Sequence, residues 1–511
     1  MSRSFSPSTE ILPPVGSSER MMTVNRAQHF VFWRAATPAL LSMLSLAGAG
    51  VAARAQSPNP TSAANPFFGS VTAHPASDEI LKLSLDEAVR RGLENNLGLK
   101  EAESGEKALQ GQKNQALQNF LPAITVSGDL GVHQQNLEAM GFGPGVIAAF
   151  APLFPGGVVP PGLSEITRDD LTEGQIHYSQ MLFSGPVIAG YKAASAAQKA
   201  AWFDKLSARG EVVRQVAAAY LHAIAAASEV DNAKALEATG QVLLSQAHAA
   251  HQAGTASNLD ELRARVQLQA QQQALIAAEN SLEKDLILLK RETGVDPGQK
   301  IVLTDPAPYN DLAAQTREEL RALAYRNRQD YLSLQNQAVE FKAVHAAYRS
   351  ERLPSLSFGG YYGVSQVNGV GSHGNFAVQG TLSLPLLREA RLRGDTETAQ
   401  AQLSAVDAQL ADLRTSIDQQ VRSALLDVDA TAKLVEVARS NVELATRALS
   451  DESDRVNAGV DDNLPLVAAQ ATLASAQSNL VESLFQYNLS KLALARAAGV
   501  IEQQYRVYLG R

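Results

Sequence analysis

The sequence predicts a mainly α-helical chain with a small transmembrane β part, built as two copies of one unit. Three observations carry this expectation. The chain matches itself at fixed offsets, its periodicity switches between helical and strand spacing within each copy, and two long stretches lack proline although the chain has 21. Composition sets the outer limits. With 45% hydrophobic and 19% charged residues, the 511-residue chain is too apolar for a disordered polymer and too polar for a bundle of spanning helices. Forty-four Lys and Arg against 52 Asp and Glu give a net charge of −8 with no local basic patch, so nucleic acid is not an expected partner. The absence of cysteine removes disulfides, thiol catalysis, Cys-based zinc sites and a lipid anchor on Cys.

The N-terminus reads as an export signal. Arg26 and Arg34 precede an apolar run, Ala35 to Ala52, and Ala53-Arg54-Ala55 supplies a small-x-small site with cleavage expected between Ala55 and Gln56. Residues 1–20 are a polar extension, which leaves Met21 or Met22 as alternative starts. The apolar run is shorter than the ~20 residues a spanning helix needs. Residues 56–80 are expected to be flexible or draped over the helices.

The self-match defines the two repeats. Gly254, Asn258 and Leu259 recur as Gly459, Asn463 and Leu464, and Arg291 and Gly294-Val295 recur as Arg496 and Gly499-Val500, all 205 positions apart. Nearer the start of each copy, Glu87, Asn95 and Leu121-Pro122 recur as Glu319, Asn327 and Leu353-Pro354 at an offset of 232. The two offsets differ by 27 residues, so the first copy carries an insertion, placed at 134–171 in a Gly- and Pro-rich stretch. The repeats are expected over 81–297 and 316–500, with a linker at 298–315 and a tail at 501–511.

Within each copy, residues 85–119 and 316–350 show apolar positions three and four apart and read as helices that stop at a proline. The period then becomes two. Ile124, Val126, Leu130 and Val132 alternate with Thr125, Ser127, Asp129 and His133, and the second copy repeats the pattern over 355–365 and 375–384. The partner strand in the first copy, Gln175 to Phe183, is weaker and is assigned from its repeat. The proline-free stretches 187–296 and 386–464 are long helices, with Val213, Val216, Tyr220, Ile224, Ala227, Val230, Ala233, Leu236, Gly240, Leu243 and Ala247 on one face of the first. Gly254 ends that helix, and Ser257 with Asp260 starts the next as an N-cap and its acidic partner. In the second copy Gly459 ends the helix and Asp461 or Asp462 caps its successor.

Strands apolar on one face and polar on the other match transmembrane β-strands. Four of them cannot close a barrel in lipid, so several chains must share one; three copies would supply twelve strands.

The LSLDEAVRRGLENN opening, the AG-x-x-x-N-L turn in both halves, the LF-S-G strand exit at 182–185 and the closing NLSKLALARAAGV resemble the TolC-like outer-membrane efflux protein family over about residues 80–500. The resemblance implies a homotrimer with a twelve-stranded barrel in outer-membrane lipid and a long α-helical barrel crossing the periplasm. It implies passive conduction, in tripartite efflux or type I secretion, of substrates delivered by a periplasmic adaptor and an inner-membrane pump or ABC exporter. Small residues from Ala193 to Ala201 would let helices pack closely in such a tube, and glutamines 267, 269 and 271 can face water.

The helix–helix turns form the expected periplasmic end. Asp461, Asp462 and Asn463 are the gate candidates, since carboxylates converging on a three-fold axis repel one another and attract cations; a capping role for one of the aspartates stays open. The family's gate carboxylates sit within the following helix, where this sequence has Pro465 and Ala468. Gly254, Asn258, Asp260 and Gly459 are the adaptor-docking candidates. The insertion is expected as an extracellular loop over the barrel mouth or against lipid. His248 and His251 are spaced as a possible metal pair without an evident third ligand. No catalytic grouping, cofactor or metal is expected. The rival reading is a periplasmic coiled-coil adaptor or scaffold without a pore.

Overall fold

The computed structural model describes residues 65–71, 75–136, 139, 141, 143–158, 166–254, 257–306, 310–313, 315–367, 371–458 and 463–510. The expected cleavage site at Ala55 and Gln56 lies outside the described residues, as do Gly459, Asp461 and Asp462.

In chain order the elements are β1 (Leu81–Leu83), α1 (Leu85–Asn95), α2 (Leu97–Gln118), β2 (Ala123–Asn136), a short α3 (Pro144–Ala149), β3 (Ile166–Phe183), α4 (Gly185–Gln252), α5 (Asn258–Thr293), β4 (Ile301–Leu303), α6 (Arg317–Asn327), α7 (Gln329–Ser350), β5 (Ser355–Val367), β6 (His373–Ser383), α8 (Glu389–Asn457), α9 (Asn463–Ala497) and α10 (Ile501–Tyr508). Helices α4 and α8 have 68 and 69 residues. At 1.5 Å per residue each extends roughly 100 Å. Each turns back through a shorter partner, giving two helical hairpins.

The duplication is visible as matched contacts. Ser84 caps α1 by accepting from the Glu87 amide, and Thr316 caps α6 by accepting from the Glu319 amide. Gly294 ends α5 at φ +74, where an added Cβ would lie 2.6 Å from Asn95 Cβ. Gly499 follows α9 at φ +75, where a Cβ would lie 2.7 Å from the Arg328 backbone nitrogen and 2.8 Å from the Asn327 carbonyl carbon. Equivalent helix ends therefore close on equivalent breaks. The short parallel ladder of β1 on β4 runs alongside the first of them.

Both expected helices at 85–119 and 316–350 are broken in two. At Asn96 the backbone turns extended, its side-chain oxygen accepts from the Leu99 amide at 3.2 Å, and its amide nitrogen donates to the Phe67 carbonyl at 2.7 Å. At Arg328, buried and likewise extended, the guanidinium is held by Asp330 and Gln420. Neither break involves Gly or Pro, so periodicity alone does not reveal them. Residues 65–71, within the segment expected to be flexible or draped over the helices, are seated here: Phe67 packs against Gly98, and the Val71 amide donates to the Asn95 carbonyl.

The main core lies where the short helices wrap the middle of the long ones. It joins Leu83, Leu85 and Val89 to Val212, Val213, Val216 and Tyr220 of α4, with Leu289, Leu320, Ile417, Val421, Leu492 and Tyr508. The expected α4 stripe is buried there and continues through Val230, Ala233, Leu236, Gly240 and Ala247 toward the turn, with Ala227 and Leu243 half-buried. The inter-repeat linker is pinned against α9. Lys491 donates to the Asn310 carbonyl at 3.2 Å and lies 4.4 Å over the Tyr487 ring, while the Tyr487 hydroxyl accepts from the Leu312 amide at 3.1 Å.

Gly294→Ala should cost about 3 kcal/mol or more, because a left-handed backbone and a clash combine there. Gly254→Ala, at φ +73 with open space around it, should cost only about 1–2 kcal/mol. Thermal denaturation of both variants checks the ordering, and equal losses would contradict the packing role assigned to Gly294.

Candidate functional site: a membrane wall and a tube end

The second sheet has the order β2-β3-β5-β6, antiparallel throughout. Its register lines up one face row by row. Ile124 pairs with Tyr178, then Gly360 and Val378; Val126 pairs with Ile176, then Tyr362 and Phe376. These side chains are bare: Ile124 is 67% exposed, Val126 77%, Leu130 84% and Phe376 73%. A water-soluble sheet would bury such a face. Here no described element covers it, which is the condition of a lipid-facing band.

The opposite face is polar. Its rows run Thr125, His177, Tyr361, Ala377; then Ser127, Gln175, Gly363, Asn375; then Asp129, Glu173, Ser365, His373. The Ser127 hydroxyl and His177 Nε2 are 3.1 Å apart, and Asn375 donates to Glu173 and to Ser365, each at 3.2 Å. Strands β2 and β3 pair as far as Asn136 with Ile166, so the insertion shortens from the expected 134–171 to the residues between them. Polar Arg168, Asp169 and Asp170 had hidden the start of β3, because ladder formation needs backbone groups and not apolar side chains. Gly185 lets the strand exit meet α7 closely; a Cβ there would lie 2.6 Å from Ser350 Cβ.

At the far end of the first hairpin, Gly254 adopts φ +73 and Ser257 forms a capping box with Asp260. The Asp260 carboxylate accepts from the Ser257 amide at 3.1 Å, and Asn258 is the first helical residue. Two turns back, His248 Nδ1 lies 3.2 Å from Glu261 Oε1, which also accepts from Arg265 at 2.9 Å, so α4 and α5 are cross-linked just above the turn. His248 thus meets a carboxylate, and among the described residues no group of three metal-ligating side chains occurs. Leu259, Leu262 and Val266 form an exposed apolar row on α5 beside this turn. Their helical spacing is present in the sequence, where nothing local distinguishes it from a packed stripe. In the second hairpin Asn463 begins α9.

Further up, the end of α5 holds a buried acid. Glu292 is fully buried, and burial pushes its carboxyl up to about 8 despite a hydrogen bond from Gln215 at 3.2 Å and the nearby Arg214 charge. Burial alone pushes Glu340 on α7 up to about 7, and burial pushes Lys491 down to about 8.

An apolar sheet face backed by a polar one has the make-up of transmembrane β-strands; among the described residues no helix is long and apolar enough to cross a membrane. The family model for outer membrane efflux proteins matches residues 88–295 and 320–500, and the chain belongs to that family. Outer membrane protein TolC of Vibrio cholerae serotype O1 is 24% identical over 348 residues, 66% of this chain and 78% of TolC. Among solved structures, the outer membrane protein VceC from Vibrio cholerae aligns with a TM-score of 0.66 at 17% identity, covering 81% of this chain and 96% of VceC. The open-state MtrE outer membrane channel of Neisseria gonorrhoeae aligns with a TM-score of 0.66 at 17% identity, covering 88% and 98%. The protein is therefore an outer membrane efflux protein with the fold of these outer membrane channels.

Val126→Lys or Phe376→Lys puts a charge on the lipid face and should cost roughly 2–4 kcal/mol, whereas Ser127→Lys on the polar face should be tolerated. Recovery of folded protein from outer membranes checks this, and equal recovery would contradict the assignment of faces. Glu292 holds its proton more tightly folded than unfolded, so folding stability should fall as pH rises from about 4.5 through about 8. Lys491, shifted the opposite way, makes stability rise only above about pH 8. Melting of the helical signal between pH 5 and 8 should slope downward, and in Glu292→Gln the slope should lessen below about pH 7, where Glu340 still contributes, and vanish between about 7 and 8.

Proposed function

We propose that three copies of this chain close a twelve-stranded barrel and a continuous helical tube, forming the exit duct of a tripartite efflux or type I secretion system. The observation that carries this reading is the four-stranded sheet with a bare apolar face and, among the described residues, two edge strands, β2 and β6, each paired on one side only. Unpaired backbone groups in hydrocarbon cost several kcal/mol each, and neighbouring copies supply the missing partners. A scaffold without a pore would leave the same face against water.

Conduction is passive. Substrates enter from a periplasmic adaptor fed by an inner-membrane pump or ABC exporter, and pass the barrel along the polar face with its Asp129 and Glu173 carboxylates. Adaptor hairpins dock at the turn residues Gly254, Asn258, Asp260 and Gly459, with Leu259, Leu262 and Val266 as apolar anchors. Asp260 serves this role indirectly, by holding the turn in shape. Asp461, Asp462 and Asn463 ring the periplasmic opening and narrow it by drawing cations between like charges.

The double variant Asp461→Ala, Asp462→Ala should raise conductance in planar bilayers, or abolish its block by divalent cations. Traces identical to the parent would dismiss the gate assignment. Release of the parent from membranes by urea or salt alone would dismiss the pore.

A further inference from the structure

The four helices that meet the sheet end under one of its edges. Helices α2, α4, α7 and α8 pack in that order, as the strands above them do. Their sheet-facing ends are level: the Phe120 ring meets the Tyr191 ring edge-on at 5.7 Å, and Gly185 lies against Ser350. Every junction between helix and strand carries bare apolar side chains. Leu121 precedes β2, Leu182 and Phe183 close β3, Leu353 precedes β5, and Leu386 and Leu387, 80% and 97% exposed, follow β6. These residues continue the apolar band of the sheet down to the helices.

Just below that rim the charge changes sign. Within about eight residues of the sheet, roughly 12 Å of helix, the segments 110–122, 184–193, 342–354 and 384–397 hold eight Lys and Arg against four acids, in a chain whose net charge is −8. No single segment is basic, so the sequence shows no patch; the fold assembles one from four places. Three of the four acids are already engaged. Glu351 and Asp395 accept from Arg391, and Glu389 accepts from Arg352 at 2.9 Å and from Arg393 at 3.1 Å, so these pairs brace the end of α7 against the start of α8. Left over are Lys113, Lys192, Lys342, Arg349 and Arg388, to which the described residues supply no ion-pair partner. All but the half-buried Lys113 are exposed. Lys342 and Arg349 share an exposed row on α7 with Val339 and Ala346, and Lys192 shares one on α4 with Ile188 and Lys199.

We propose that these cations form a collar that binds the phosphate groups of anionic phospholipids in the leaflet on the helical side of the membrane. The occupant follows from two features taken together. Surplus positive charge matches an anionic head group, and the apolar rim above it runs without a break into the lipid-facing sheet. Ammonium and guanidinium groups on long stems reach phosphates while their methylenes lie along apolar surface. Each cation near an anionic surface gains modestly and the gains add, so five per chain hold lipids against the helices. The proposal deepens the assignment of the bare sheet face to lipid and rests on it. Its consequence is that the sheet is held at its depth by head groups from one side as well as by its apolar band.

Native mass spectrometry of the intact protein in mixed micelles of phosphatidylglycerol and phosphatidylethanolamine reads which lipid is retained. The parent should retain the anionic lipid about tenfold or more over the zwitterionic one at low salt, and most of that preference should vanish at about 0.5 M salt. Lys192→Gln, Lys342→Gln and Arg349→Gln together should bring the ratio close to one. Lys234→Gln with Lys433→Gln, at exposed positions farther along the long helices, should leave it unchanged. Equal retention of both lipids by the parent overturns the collar while the sheet's place in lipid stands, and this outcome needs no variant to fold. An unchanged ratio in the triple variant, or an equal fall in the distant pair, overturns it as well. Release of the parent from vesicles by urea or salt alone overturns the membrane reading, and the collar with it.

Discussion

Every backbone group placed in hydrocarbon must find its partner within protein, and this constraint governs the molecule. Four strands in the order β2-β3-β5-β6 leave one edge at each side, while the apolar rows from Ile124 to Val378 fix which face meets lipid. An open sheet of this kind is tolerable only as part of a closed wall. The strands also set the course of the long helices. Ser184 and Gly185 turn β3 into α4 within two residues, so the strands fix where the long helix begins.

Duplication solves the geometric problem of supporting such long helices. Two hairpins of nearly equal length need a common brace, and it is made by the same contact used twice: Gly294 against Asn95, and Gly499 against Asn327 and Arg328. A left-handed residue without a Cβ is required at each closure, which is why the glycines recur at an offset of 205 and their partners at 232. The two copies are not interchangeable. Asn96 breaks the first helix pair by capping, and Phe67 and Val71 fill the groove beside it; in the second copy a buried Arg328 held by Asp330 and Gln420 does the equivalent work.

Much of this was legible in the sequence because it depends on local rules. Proline-free length marked α4 and α8, the Ser257–Asp260 spacing marked the first turn, and alternation marked β2, β5 and β6. What escaped depends on partners distant in the chain. The break at Asn96 needs the Phe67 carbonyl, 29 residues away, to become favourable. The start of β3 carries Arg168, Asp169 and Asp170, whose pairing is set by β2 and by no pattern of their own. The site was legible in outline through the turns, whereas the exposed row Leu259, Leu262, Val266 and the cations gathered beneath the sheet become meaningful only once the helices are set side by side.

Stability is graded along the tube, and the gradient has a functional direction. The large core gathers in the middle, around Val212, Val216, Tyr220, Ile417 and Leu492. Toward the membrane the packing thins to Ala193, Val344 and Ala399, and toward the turns to Ala445, Leu473 and Ala476. Each small cluster removes far less apolar surface from water than the core does, and so holds its helices less firmly. At the membrane end the barrel compensates by fixing the helices through the strands. Among the described residues nothing comparable anchors the turns, where α4 and α5 rely on the His248–Glu261–Arg265 cross-link and α8 and α9 on the cluster of Ala445, Leu473 and Ala476 with Val442 and Leu449. Segments that must move are drawn from the least stable part of a fold. The cohesion of the helices is therefore weakest at the end opposite the sheet, where the hairpins turn.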